Sequence, residues 1–201
     1  MLLSTAYLPP ISYFNKLQFA DILIIEMYEH FVKQTIRNRC HIYSPNGIQT
    51  LIIPVQHNNR NRTNLNDIRI SNALPWQRQH WRSLCSAYQR SAFFEFYQDE
   101  LAPFYEREYE FLLDFNMDLM RFLMPILNVK CKIQYTEKYL APGAQLNDFR
   151  FLSDAGVPLA DAGISSYPQV FGYKFGFQSG LSVVDLIFNM GPAAGTYFRT
   201  A

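Results

Sequence analysis

Along the chain, apolar positions alternate between unbroken runs and helical spacing, and each switch marks an element. Residues 2–6 form a short apolar run that Leu8-Pro9-Pro10 stops. Pro10 suits the first turn of a helix, where a missing amide hydrogen is no loss. Ile11, Phe14, Leu17 and Gln18 or Phe19 then recur at helical spacing. Ile22-Leu23-Ile24-Ile25 follows as a continuous β-branched and leucine run, the pattern of a strand covered on both faces. The spacing predicts strand, helix, strand, and a right-handed crossover would set the two strands parallel in one sheet.

Beyond Glu26, the apolar positions Tyr28, Phe31, Val32, Thr35 and Ile36 are interleaved with polar groups, which suits either a helix or an extended loop. Residues 39–43 and 49–55 flank Ser44-Pro45-Asn46-Gly47, a hairpin signal, because Asn-Gly tolerates the positive φ that tight turns require. Pro54 points to an edge position or a strand end. Residues 56–66 form the most polar window and predict a surface loop, the kind of segment that often covers a ligand site. Residues 67–70 read as a short strand.

From Pro75 the helical period returns in Trp76, His80, Trp81, Leu84, Cys85 and Tyr88. A second helix is predicted over residues 94–101. A long one spans residues 104–127, with a broad apolar arc through Phe111, Phe115, Leu119, Phe122 and Ile126, and Pro125 ends or bends it. Residues 129–135 read as another strand, residues 141–163 as an irregular connection and residues 167–172 as extended chain. Residues 181–189 form a last helix with Ser182 as N-cap, Asp185 three residues later as in a capping box, and Gly191-Pro192 as its end. The fold class is α/β, with mixed α+β as the alternative. The expected architecture is one domain over residues 1–201: a βαβ opening, a hairpin, and a helical insertion at roughly residues 75–127 packed on a mostly central sheet.

Composition narrows the function classes. With 201 residues, 49% hydrophobic and 17% charged, the chain can build one substantial core. A formal net charge of +1 gives no global basis for binding DNA, so anion recognition has to be local. No window reaches the roughly 20 apolar residues of a membrane helix. The first ten residues do not read as a signal peptide. Cys40, Cys85 and Cys131 are odd in number and widely spaced, which suits reduced thiols and a cytoplasmic location.

The densest cluster of candidate chemistry lies at residues 33–39. Lys33, Arg37 and Arg39 place three cations within seven residues, with Gln34 and Asn38 as neutral donors, and arginine forks suit phosphate or carboxylate. On a helix, Lys33 and Arg37 would share a face and Arg39 would point away. The plainer alternative is a solvated basic face paired with Asp21, Glu26 or Glu29. Tyr7 and Tyr13 flank the Pro9-Pro10 turn after the first strand, where open α/β sheets place ligands, and Asn46 sits in the hairpin turn. His80, between Trp76 and Trp81, is the candidate general base, against the plainer role of a core histidine with its hydrogen bonds satisfied. Cys40 follows the arginines, which would lower its pKa, but a strand position favours burial. Asp185 and Asn189, at i and i+4 on the last helix, could face a site, although capping explains Asp185 more simply. The histidines and cysteines lack metal-ligand spacing, so no metal is expected. No nucleotide-binding fingerprint or nucleophile elbow is present, and no cofactor is evident from motifs.

Several stretches taken together resemble the WbqC-like family of bacteria. They are Thr5-Ala6-Tyr7-Leu8-Pro9-Pro10-Ile11-Ser12-Tyr13-Phe14, the run from Val32 through Asn38-Arg39-Cys40, Pro45-Asn46-Gly47 and Leu51-Ile52-Ile53-Pro54-Val55. Gln169-Val170-Phe171-Gly172 and the tail from Leu181 to Pro192 extend the resemblance over nearly the whole chain, in the form found in Bacteroides-type bacteria. The resemblance implies a place among O-antigen, lipopolysaccharide and other surface-polysaccharide functions. It also implies transfer of an aminoacyl or acyl group to an activated amino sugar, with an anionic substrate such as a nucleotide sugar. A non-catalytic scaffold with a glycan-assembly protein as partner is the second implication. Many members carry His-Gln-Pro where this chain has Ser4-Thr5-Ala6, so the role of that histidine is either absent here or filled by another group.

Overall fold

A computed structural model describes residues 1–56, 63–143, 147–153 and 165–198. The opening is the expected βαβ unit. Strand β1 (Leu2–Leu3), helix α1 (Ile11–Leu17) and strand β2 (Ile22–Ile25) follow in order, and β1 pairs with β2 in parallel, Leu2 opposite Ile24 and Leu3 opposite Ile25. β1 is shorter than the apolar run because Ser4 already leaves the ladder. Strand β5 (Lys132–Tyr135) pairs in parallel on the far side of β2, giving the order β1-β2-β5. On the open side of β1, residues 147–149 run parallel to it: Leu2 donates its amide to Asn147 O at 2.8 Å and Phe149 donates to Leu2 O at 2.9 Å.

The hairpin forms as predicted, with β3 (Arg39–Ser44) antiparallel to β4 (Gly47–Ile52). Its turn differs in one detail. Pro45 and Asn46 are the two loop residues, and the positive φ of 99° falls on Gly47, where the absence of a Cβ removes the steric objection. Residues 26–38 between β2 and β3 are irregular, so the extended alternative holds over the helical one. Residues 67–70 begin in a single 3₁₀ turn (Leu65–Asp67) and then make only isolated bridges, Arg69 to Phe111 and Ile70 to Val55.

Helices α2 (Trp76–Tyr88) and α3 (Phe94–Leu101) fall where the period places them. The long helix predicted over residues 104–127 is instead a short α4 (Pro103–Glu106) and α5 (Leu112–Ile126). The break has a cause: Ile70 donates its amide to Glu110 O and Leu112 donates to Ile68 O, so residues 110–112 are drawn into strand-like pairing. Pro125 lies in the last turn of α5, which stops one residue later. The stretch expected to be extended, residues 167–172, runs at its end into a single turn, α6 (Gly172–Phe175). Helix α7 (Val183–Met190) and a last turn, α8 (Ala194–Tyr197), close the chain. The Ser182 hydroxyl accepts from Val184 N, as an N-cap should, but the reciprocal half of the capping box does not form. Ser182 N–H donates to His41 O instead, and Asp185 turns inward.

One continuous apolar core runs from Leu3 and Leu23 to Phe198. Its centre is the ring of Phe115 on α5, packed by Tyr7, Trp76, Tyr105 and Tyr109 with centroid separations of 4.9–6.0 Å. These edge and tilted arrangements add to the burial of large apolar area. The polar window predicted as a loop lies outside the described residues at positions 57–62. So do positions 144–146 and 154–164, in and after the predicted irregular connection.

Candidate functional site

Parallel pairing makes four chain segments leave the sheet by the same edge, and each leaves through a polar residue. Ser4 follows β1, Glu26 follows β2, Thr136 follows β5, and Arg150 follows residues 147–149. Outside this carboxyl edge is where open α/β sheets bind ligands.

Glu26, Thr136 and Arg150 form one polar group, and Ser4 belongs to a second one built on Glu29 and Arg37. Glu26 is fully buried, and its carboxylate accepts from Tyr28 N at 2.9 Å, Thr136 Oγ1 at 3.0 Å and Leu140 N at 3.0 Å. Arg150 Nη1 lies 3.6 Å from it. Arg150 also forks onto Asp148, with Nε donating to Oδ1 at 2.9 Å and Nη2 to Oδ2 at 2.6 Å, and donates to Leu140 O at 2.8 Å. These bonds hold the Asp148 carboxyl below its usual range. Glu29, also buried, accepts from the Ser4 hydroxyl and from Arg37 Nε at 2.9 Å. Arg37 Nη1 reaches Ser153 O at 3.2 Å, and Tyr13 braces the assembly by donating to Ser4 O at 2.8 Å. Every buried charge here has several partners, the condition under which burying it is tolerable.

Glu29, Arg37, Asp148 and Arg150 line a cleft of about 540 Å³, with the Tyr139 and Phe151 rings on its walls. Two carboxylates, Glu29 and Asp148, and two guanidinium groups, Arg37 and Arg150, line the cleft, so its described lining is balanced in formal charge, and the buried Glu26 carboxylate lies 3.6 Å from Arg150 Nη1. The guanidinium donors are already engaged by these carboxylates and by main-chain carbonyls. Tyr139 and Phe151, both half exposed, offer flat apolar faces to a ring.

The predicted cation cluster is divided by the fold. Arg37 and Asn38 are buried, Lys33 and Gln34 are exposed, and Arg39 lies on β3 opposite Ile52. Lys33 and Arg37 share no helical face because residues 33–37 are not helical, and Gln34 has a φ of 64°. Asn38 is spent on structure, Nδ2 donating to Ile53 O at 2.9 Å. Asn46 is exposed at the hairpin tip. Tyr7 and His80 meet in the core, the Tyr7 hydroxyl 2.9 Å from His80 Nδ1 and 3.0 Å from Tyr105 Oη. Burial pushes His80 down to about 4, and a second hydrogen bond ties it to the backbone of Ile52. Burial raises Tyr7, Tyr13 and the Cys40 thiol, which leaves Cys40 a poor nucleophile. Asp185 is buried and accepts from Tyr167 Oη at 2.7 Å and Gln169 Nε2 at 3.1 Å, while Asn189 donates to the Asp185 carbonyl at 2.7 Å. Neither Asp185 nor Asn189 lines the cleft.

Asp148, Arg150 and Tyr139 were not among the sequence candidates, and Glu26 and Glu29 entered only as partners for the basic face. The signal for Glu26 and Glu29 was present: two acids directly after the apolar run Ile22–Ile25, at the end where such sheets place ligands. No group of His, Cys, Asp and Glu among the described residues could hold a metal ion. No described helix is long and apolar enough to cross a membrane.

Comparison with known proteins places these features in a family context. The model of the WbqC-like protein family matches residues 5–155. An uncharacterized protein of Mycobacterium tuberculosis is 27% identical over 221 residues, covering 96% of this chain and 94% of that protein. No solved structure matches.

Proposed function

The chain belongs to the WbqC-like protein family, and from that premise we propose that it is a transferase that acylates or aminoacylates the amine of an activated amino sugar. The observation that carries this reading is the buried Ser4–Glu29–Arg37 assembly opening on a cleft lined by two carboxylates and two aromatic rings. Such a cleft suits a protonated amine on a hydroxylated ring: carboxylates for the amine and the hydroxyls, Tyr139 or Phe151 for the ring face. In the proposed step the amine gives up a proton to a cleft carboxylate and attacks the activated carbonyl of an acyl or aminoacyl ester. A C–N bond forms, the bond from the carbonyl carbon to the ester oxygen breaks, and that oxygen leaves with the electron pair and takes up the second proton lost by the amine.

Glu29 takes the role of base in this arrangement rather than His80, whose ring is turned into the core. Where the family resemblance places histidine in many members, Ser4 donates its hydroxyl to Glu29, so the acid at this position stays oriented without the imidazole. The proposed setting is surface-polysaccharide biosynthesis on the cytoplasmic side. Calorimetric titration with D-glucosamine tests the reading. Binding to the native protein and a loss of about tenfold or more in Glu29→Gln support it, whereas equal affinity in both proteins, or binding in neither, removes the amine site. A scaffold role draws on one observation, the exposed Tyr173, Phe175 and Phe177 around α6.

A further inference from the structure

We infer that the inner cleft and a neighbouring cleft of about 580 Å³ are two lobes of one groove joined at His30 and Tyr139, the outer lobe taking the phosphorylated nucleoside end of the ligand. The inference rests on the amine site proposed above and names the rest of the molecule that occupies it. His30 and Tyr139 line both clefts, so a ligand leaving one lobe past these side chains enters the other. Each lobe has the volume of an ordinary ligand pocket, roughly 300–1,000 Å³, and together they accommodate a ligand of two parts.

The chemistry at the junction differs from that of the other described histidines. His80 is held by Tyr7, and His41 Nδ1 lies 3.0 Å from Thr50 Oγ1. His30 is exposed and fixed through its main chain, in a bridge to Asn64, while its imidazole makes no hydrogen bond to a described residue. A ring anchored by its backbone and free at its nitrogens is placed to contact whatever lies between the lobes. Tyr139 is half exposed, with the Arg150 guanidinium 5.8 Å from its ring centroid, so the inner lobe's cation backs a wall shared with the outer lobe.

The outer lobe's own residues define the moiety. Tyr28 and Tyr139 offer aromatic faces for a planar base, Asn64 an amide for its edge, and Lys138 an ammonium for phosphate. Glu137, on the same lobe, can accept ribose hydroxyls. The inner lobe's guanidinium groups are already bonded to carboxylates and main-chain carbonyls, whereas the outer lobe presents the exposed ammonium of Lys138 to a phosphate. The amine therefore goes inward and the phosphate outward.

Calorimetry on the full chain with three probes, D-glucosamine, uridine diphosphate and the linked UDP-glucosamine, tests the assignment. The linked probe is expected to bind roughly a hundredfold tighter than either fragment, since joining two occupied subsites makes the second contact intramolecular. Glucosamine and uridine diphosphate should bind together without displacing one another. Lys138→Ala should weaken uridine diphosphate and the linked probe about tenfold and leave glucosamine unchanged; Phe151→Ala should do the reverse to the fragments. Both side chains are exposed, and thermal melts confirm that each variant is folded. Competition between the two fragments, or a linked probe that responds to Phe151→Ala but not to Lys138→Ala, overturns the two-lobed groove and leaves the amine site standing. Binding of uridine diphosphate without glucosamine overturns the amine site and this assignment with it, as does binding of none of the three.

Discussion

Arg37→Met is the sharpest perturbation of the site's framework. The side chain is 2% exposed and spends Nε on Glu29 and Nη1 on the Ser153 carbonyl, so its loss leaves Glu29 buried with the Ser4 hydroxyl and without its hydrogen-bonded counter-charge. Breaking a buried pair by removing one partner costs about 3–5 kcal/mol, far more than the pair's net worth, because the remaining charge is stranded. For a chain of this size each kcal/mol corresponds to about 2–4 °C, so the melting temperature should fall by about 10 °C. Glu29→Gln should also destabilise, since it removes the carboxylate charge that Arg37 Nε donates to. The double variant removes both ends of the Arg37–Glu29 contact, so its loss should be smaller than the sum of the two single losses by about 1–3 kcal/mol. Urea unfolding at pH 7, followed by the fluorescence of Trp76 and Trp81, measures all four proteins. An Arg37→Met protein within about 1 kcal/mol of the native one, or single losses that add to within about 0.5 kcal/mol, would refute the coupled buried pair.

Three further outcomes follow from groups outside the cleft. Burial pushes Asp185 up to about 6 from an ordinary value of 3.8, so the folded protein holds this proton more tightly than the unfolded chain. The stability it contributes is full below about pH 4 and lost as pH rises through 6, a swing of about 3 kcal/mol, and Asp185→Asn should therefore gain on the native protein in melts taken from pH 4 to 7. A pH-independent difference would refute this. His80 titrates in the opposite sense: with a folded value near 4 against 6.5, its contribution is present above pH 6.5 and lost as pH falls through 4. Its imidazole resonances should stay those of the neutral ring at pH 5, and a protonation midpoint above 6 would contradict the buried Tyr7–His80–Tyr105 chain. Gly191 ends α7 at a φ of +55°, and a Cβ there would run into the Phe93 ring, so Gly191→Ala should cost about 1–3 kcal/mol in urea unfolding. An unchanged midpoint would show that the ring moves aside freely.

The sequence carried the local elements well and the site poorly, for one physical reason. The apolar run Ile22–Ile25, the helical spacing in α2 and the turn at residues 44–47 are each written in adjacent residues, and all three form. The long helix failed because Glu110 and Leu112 pair with residues 68–70, a partner about 40 positions away that no local period reveals. The site has the same character. Ser4, Glu26, Thr136 and Arg150 are remote in sequence and meet only because four parallel segments end at one edge. Within the cation-rich stretch, composition could not show that Arg37 turns inward to Glu29 while Lys33 stays in solvent. The rule that ligands sit beyond strand carboxyl ends, applied to Glu26 and Glu29 as it was to Tyr7 and Tyr13, would have found the acids.

The most direct measurement is a crystal structure of the protein soaked with UDP-glucosamine. The account predicts the sugar amine within about 3 Å of the Glu29 or Asp148 carboxylate, its ring against Tyr139 or Phe151, and the diphosphate on the Lys138 side of His30. A ligand whose phosphate sits in the inner cleft on Arg37 and Arg150, with the amine turned to solvent, would contradict it.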